Sequence, residues 1–292
     1  MGTLRRREAL WAYALLFPTI VLFLVFMAGP LVASFLISLM HWSLLSPPRW
    51  AGLGQYQHLL HDSAFWTAVG NTAYFTAGTV LPRLVLALLL ALALNRKMRA
   101  RNLYRTIYFL PVVSMLVAVA LVWSWLYSPQ DGLINYALAL VHLPQPAWLS
   151  STRWAMPAII IMSIWKTVGY DMILYLAGLQ SIPEHLYEAA RIDGANRWNL
   201  FQHITFPLLT PTTFFVLVVS VIGSFQVFDQ AYIMTQGGPG YATTTLVYYI
   251  YNNAFQWFHM GYASAQAWVL LVLVLGMTLL QLWGQRRWVF YQ

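Results

Sequence analysis

Long uncharged runs, broken by short charged stretches, set the pattern of this chain. Six runs are long enough to cross a bilayer, which takes about 20 apolar residues as a helix. They lie near residues 11–39, 71–94, 106–127, 154–178, 207–229 and 263–285. Each is predicted to be helical, because a lone strand in lipid leaves its backbone N–H and C=O groups unpaired. The first run, Leu10 to Met40, stays uncharged for longer than the apolar core of a secretory leader and lacks a small-residue cleavage site. It reads as a retained helix with Pro18 and Pro30 as candidate kinks. With no tandem repeat and no linker between soluble units, residues 1–292 read as one all-α, six-helix membrane domain.

The basic residues orient these spans. Arg5, Arg6, Arg7, Arg96, Lys97, Arg99, Arg101, Arg105, Arg191, Arg197, Arg286 and Arg287 fall on one side, and only Arg49 and Arg153 on the other. Lys and Arg accumulate on the cytoplasmic side, so both termini and the 179–206 loop are predicted to be cytoplasmic. Trp42, Trp50, Trp66, Trp148 and Trp154 gather near predicted outer ends, as interfacial anchors do.

Composition agrees and excludes much. Sixty per cent of residues are apolar and 8% charged, with a mean hydropathy of +0.62, far from a soluble domain. The net charge of +8 would suggest nucleic acid in a soluble protein, but here the basic residues flank apolar runs and the partner is the bilayer. Cysteine is absent, which removes disulfides, thiolate nucleophiles and cysteine metal sites. The two lysines, Lys97 and Lys166, do not stand in a Gly-Lys-Ser/Thr phosphate loop, so the chain has no ATPase motif. There is no His-Glu-x-x-His and no Gly-x-Ser-x-Gly, and the histidines are scattered without metal-ligand spacing. No catalytic residue and no metal ligand is nominated, and an enzyme is disfavoured.

Charge returns in one loop. Glu184, Glu188, Asp193 and the nearby Asp171 make up half of the eight acids. Ser181 is a candidate cap and Pro183 a candidate helix start, with Glu184 at the positive end of the helix dipole. Gly194 supplies a break or a left-handed position, and Trp198 to Ile204 forms a second amphipathic stretch leading to Pro207. The expectation is a short helix, a sharp turn and a second helix along the membrane surface. On residue chemistry alone this is either an amphipathic interfacial helix or a docking surface for a soluble partner.

The order Glu188-Ala189-Ala190, then Asp193-Gly194, then Ile204-Thr205-Phe206-Pro207 resembles the coupling loop of bacterial ABC importer permeases, with Phe206 where Leu is usual. The likeness extends to the carbohydrate-uptake branch in Arg105–Pro111, Trp123–Tyr127, Tyr175–Pro183, Phe228-Asp229, Thr235–Pro239 and Thr243-Thr244-Thr245. The resemblance implies the larger-partner type of permease subunit. It further implies a second, homologous permease subunit, two ATPase subunits that hold ATP and Mg, an extracytoplasmic solute-binding protein and a location in a bacterial or archaeal plasma membrane. No cofactor would be bound by this chain. Glu184, Glu188, Ala189, Ala190, Asp193 and Gly194 would then couple to the ATPase.

Inside the spans, Arg83 is expected to face protein or a wet cavity, since charge at bilayer depth is costly. Lys166 and Tyr170 share a helix face better than Lys166 and Asp171 do. Ser224, Gln226, Asp229 and Gln230 surround Phe225 and Phe228. Aromatic faces with amide and carboxylate groups suit a neutral sugar, and the same polar groups equally suit helix-to-helix adhesion. Thr167, Tyr170, Asp171, Ser224, Gln226 and Asp229 are the candidate solute-binding residues, those around Tyr170 and Ser224–Gln226 by resemblance to the family cavity. The expected function is a sugar importer permease. A carrier of glycerol-3-phosphate or another polyol phosphate is the alternative, and a stand-alone secondary carrier is a further one.

Overall fold

The computed structural model of the chain describes residues 2–96 and 99–290, with side chains for all of these except 2–7, 9 and 10. Lys97 and the side chains of Arg5, Arg6 and Arg7, used above for orientation, lie outside the described residues. Two compact units emerge: one runs to Asp62 and takes in Ile250–Leu271, and the other comprises Ser63–Tyr249 with the chain from Val272 onward.

The first unit begins with α1 (Gly2–Phe23), a π-helical turn over Leu24–Ala28 and α2 (Gly29–Ser38). Pro30 has no N–H to give the ladder. Just before it the Gly29 N–H reaches back five residues to the Leu24 carbonyl, which makes the wide turn. Of the two kink candidates, Pro30 marks an irregularity and Pro18 sits inside regular helix. A two-residue antiparallel ribbon, β1 (Met40–His41) with β2 (Arg49–Trp50), departs from the all-helical expectation. Helix α3 (Gly54–His61) follows, its buried Gln55 amide donating to the Met40 carbonyl at 3.1 Å. Tyr262 donates to Asp62 at 2.5 Å, and Trp268 packs on Phe35 with ring centres 5.0 Å apart.

In the second unit, α4 (Ser63–Leu94) is the longest helix and starts eight residues before the predicted boundary. The third predicted span is the main correction. It is two helices, α5 (Arg101–Val113) and α6 (Leu116–Leu126), bent by 97° at Ser114-Met115. Pro111 in the last turn of α5 starts the break, and its carbonyl and that of Val112 accept from Lys166 Nζ at 2.8 and 3.0 Å. Backbone groups freed in a membrane need such internal partners. The chain continues through α7 (Leu133–Leu140), α8 (Ala155–Ser181), α9 (Glu184–Ile192), α10 (Arg197–Leu200), a π turn over Phe201–Thr205 and α11 (Phe206–Phe225). Residues 197–225 form one span-length helix, so the predicted second surface helix is continuous with the span after it. That span stops at Phe225, four residues early. Short α12 (Asp229–Met234) then packs back onto α6 and α8, and α13 (Leu246–Tyr251) leads on to a third π turn, Asn252–Gln256, in the first unit and to α14 (Met260–Gln285), whose residues belong to the first unit as far as Leu271 and to the second beyond it.

Helix α8 is the hub, packed against α4, α5 and α11. Small residues let helices approach closely where lipid supplies no hydrophobic drive between them. At Gly169 a Cβ would run into the backbone carbonyl of Tyr108 on α5, an obstacle that cannot rotate away. Gly169→Ala should therefore cost about 1–3 kcal/mol of overpacking and lower the unfolding temperature of the detergent-purified chain. Gly70→Ala, where a Cβ meets nothing, serves as the control and should hold or raise it.

One apolar cluster gathers Phe75, Tyr127, Trp148, Ile159 and Met162; another gathers Ala87, Met172, Tyr175, Leu179 and Leu209. Trp148 is thus a core residue, its indole donating to Asn135 at 2.8 Å, and not the interfacial anchor expected. Trp50, Trp66 and Trp154 are exposed.

The uncharged stretch after α12 is pinned by hydroxyls. Thr243 and Thr244 donate to the carbonyls of Gly238 and Gly237 at 2.8 and 3.0 Å, and Thr245 donates to that of Val227 at 2.9 Å. Asn71 on α4 donates to the Tyr241 and Thr244 carbonyls, while Thr72 accepts the Leu246 N–H. This loop is fastened to its own unit.

Candidate functional site

Helices α4, α8 and α11 and the break before α12 enclose a cavity of about 410 Å³ in the second unit. That volume falls among small-molecule sites. All six candidate residues line it: Thr167, Tyr170 and Asp171 from α8, Ser224 from α11, Gln226 from the break and Asp229 from the first position of α12. Residues 167, 170 and 171 sit three and four apart and so share one face of α8. The unwinding after Phe225 turns Gln226 and Asp229 toward the same space. Tyr170 is 43% exposed, while Ser224 is buried with its hydroxyl donating to the Val221 carbonyl at 2.8 Å.

Charge on this wall is arranged in a pair. Arg83 Nε lies 2.6 Å from Asp171 Oδ2, and its Nη1 donates to Thr167 Oγ1 at 3.0 Å. Both side chains are largely sequestered, at 13% and 3% exposure. Arg83 therefore finds its counter-ion within this chain, bridging α4 to α8, and also lines the cavity. Lys166, just before Thr167 on α8, does not line the cavity and serves the carbonyls at the α5–α6 break. Asp229 is exposed, and among the described residues no basic side chain pairs with it.

Ser163 and Ser220, outside the six sequence candidates, also line the cavity. Their spacing was a usable signal, since Ser163 precedes Thr167 by four residues and Ser220 precedes Ser224 by four, one helical face in each case. Phe228 stacks on Tyr232 with ring centres 5.3 Å apart and adds an aromatic surface to the wall.

The second surface is built on α9. Leu186 and Tyr187 pack onto the cluster around Tyr175 and Leu209, and Tyr187 shares a 3.0 Å hydrogen bond with Thr205. Glu184, Glu188 and Ala189 are left exposed, and Ala190 is half-buried. Beyond them Ile192 is 86% and Trp198 66% exposed, large apolar groups beside acids. Pro183 is the N-cap residue of α9, and the Ser181 hydroxyl donates to Gly178 in the previous helix, so Ser181 does not cap α9 as expected. Asp193 ends the helix and Gly194 adopts φ +84°, a left-handed turn of the kind anticipated. Asn196 then caps the next helix by accepting the Asn199 N–H at 2.9 Å.

Comparison with known proteins draws these features together. Residues 83–289 match the family described as binding-protein-dependent transport system inner membrane component. The lactose transport system permease protein LacF of Rhizobium radiobacter is 38% identical over 275 residues, covering 92% of each chain. The sn-glycerol-3-phosphate transport system permease protein UgpA of Agrobacterium fabrum is 34% identical over 92% of each. Among solved structures, a bacterial alginate ABC transporter in complex with an alginate pentasaccharide-bound periplasmic protein contains a chain with a TM-score of 0.85. That chain is 29% identical, with 96% of both chains covered. With five helices among the described residues long and apolar enough to cross a membrane, or six if the bent pair counts as one, this multi-pass chain belongs to the binding-protein-dependent transport inner membrane family, the permeases of ABC transporters.

Proposed function

We propose that the chain is one permease subunit of an ATP-driven sugar importer in a bacterial or archaeal plasma membrane. It would form the pathway with a second, homologous permease subunit and take its solute from an extracytoplasmic binding protein. The observation that carries the reading is the cavity, where aromatic faces, an amide, hydroxyls and a carboxylate converge in a chain of this family. Sugar rings stack by their apolar faces and hydrogen-bond through their hydroxyls, and this lining offers both contacts. The names of relatives support the solute class. UgpA keeps a polyol phosphate as the second reading.

In this reading both termini and α9 face the cytoplasm. Two separate ATPase subunits bind ATP with Mg and hydrolyse it, and this chain is not catalytic. Glu184, Glu188, Ala189, Ala190, Asp193 and Gly194 form the docking element. Leu186 and Tyr187 tie that element to the core, so a push on α9 reaches α8 and α11 as a rigid displacement. Coupling needs such a link, because a transporter switches only through contacts that differ between its two states.

The test is uptake by proteoliposomes holding both permease subunits and the ATPases, with the cognate binding protein outside. ATP-dependent accumulation of a labelled sugar supports the reading, and accumulation without ATP or binding protein overturns it. Tyr170→Ala and Gln226→Ala should each weaken the apparent affinity by roughly two- to twelve-fold, the value of one hydrogen bond of about 0.5–1.5 kcal/mol. Ser224→Ala should do less, since its hydroxyl already donates within its own helix. Unchanged affinity and selectivity in all three would move the solute site elsewhere.

A further inference from the structure

We propose that the cavity admits uncharged, hydroxyl-rich solutes and turns away anions, with Asp229 setting the sign of its field. The inference rests on the importer reading and narrows it, since the relatives' solutes include both uncharged sugars and anions. Among the described residues, three charged side chains line the cavity: Arg83, Asp171 and Asp229. The first two cancel at 2.6 Å.

An oxyanion is best held by two parallel guanidinium N–H groups. Arg83 is already committed, its charge matched by the Asp171 carboxylate beside Nε and its Nη1 donating to Thr167. The other nearby cation, Lys166, is consumed by the Pro111 and Val112 carbonyls and does not line the cavity. What remains is one carboxylate. Asp229 accepts hydrogen bonds from sugar hydroxyls and repels a phosphate or carboxylate brought beside it. Gln226 and Gln230, which both donate and accept, complete a lining matched to hydroxyls.

The experiment uses the detergent-purified complex of both permease subunits and the ATPases, free of nucleotide and binding protein, so that no other protein selects the solute. Equilibrium dialysis compares labelled pairs that differ in charge: trehalose with trehalose 6-phosphate, lactose with lactobionate, and glycerol with glycerol 3-phosphate. The uncharged member should bind at least about tenfold more tightly in the best-binding pair. Asp229→Asn should shrink that gap to a few-fold, and Asp229→Lys should reverse it. Equal or tighter binding of the anionic member by the native complex overturns the proposal, as does a gap that Asp229→Asn leaves unchanged. Binding-protein-stimulated ATP hydrolysis, measured on the same preparation, reports separately on the importer reading: its absence counts against that reading and leaves the charge comparison legible.

Discussion

Gly194→Pro should abolish solute-stimulated ATP hydrolysis in the reconstituted transporter while the chain still inserts. Gly194 sits at φ +84°, and proline fixes φ near −65°. Its N–H also donates to the Arg191 carbonyl at 3.1 Å, a bond proline cannot make. Gly194→Ala provides the graded comparison. A Cβ there meets nothing within 4 Å, so alanine bears only the left-handed strain of about 1–2 kcal/mol. The expected order of coupling is native, then alanine, then proline. Glu188→Lys leaves the backbone intact and reverses charge on the exposed face of α9. If it removes a central docking contact of about 2 kcal/mol, the ATPase subunits bind roughly 30-fold more weakly. Native stimulation in Gly194→Pro and Glu188→Lys together would remove α9 from the coupling role.

Asp171→Ala should destabilise the chain by about 3–5 kcal/mol, because it strands the Arg83 guanidinium without its partner. The pair bridges α4 and α8 inside the membrane-spanning core, where a lone arginine is unfavourable by about 2.5–3.5 kcal/mol on insertion scales. The double replacement Arg83→Met with Asp171→Leu should recover most of that stability, since apolar side chains of similar size can replace a buried pair. Thermal unfolding of the detergent-purified native chain, Arg83→Met, Asp171→Leu and the double variant reads this coupling. A double variant no more stable than Asp171→Leu would mean that the two charges act independently.

Much of the architecture is legible in the residues, and the gaps have physical causes. Hydropathy marks where a helix is apolar but not where it points, so the 106–127 run reads as one span although the chain turns by 97° inside it. Pro111 and Ser114 were the available signals, but α5 and α6 are apolar on both sides of them. Helix periodicity relates Lys166 to Tyr170 on α8, but not to the groups that Lys166 meets. The acceptors it serves are backbone carbonyls 54 and 55 residues away, which no side-chain pattern displays. The Arg83–Asp171 pair is likewise tertiary, joining helices 88 positions apart in sequence. The polar turn at Gly194 was readable because a left-handed position has a strong residue preference. The early stop at Phe225 was not, since Gln226, Val227 and Phe228 carry no breaker.

The bent pair α5–α6 bears on how the chain enters the membrane. At 1.5 Å per residue, α5 and α6 are about 20 and 17 Å long, each short of a hydrocarbon core of about 30 Å. Neither half is a self-sufficient insertion signal, and of the two carbonyls that Lys166 serves, that of Pro111 has only the Ser114 N–H nearby, at 3.3 Å, until a residue more than fifty positions later is made. The helix that closes the break between α5 and α6 is thus one that the ribosome delivers only after both have been made.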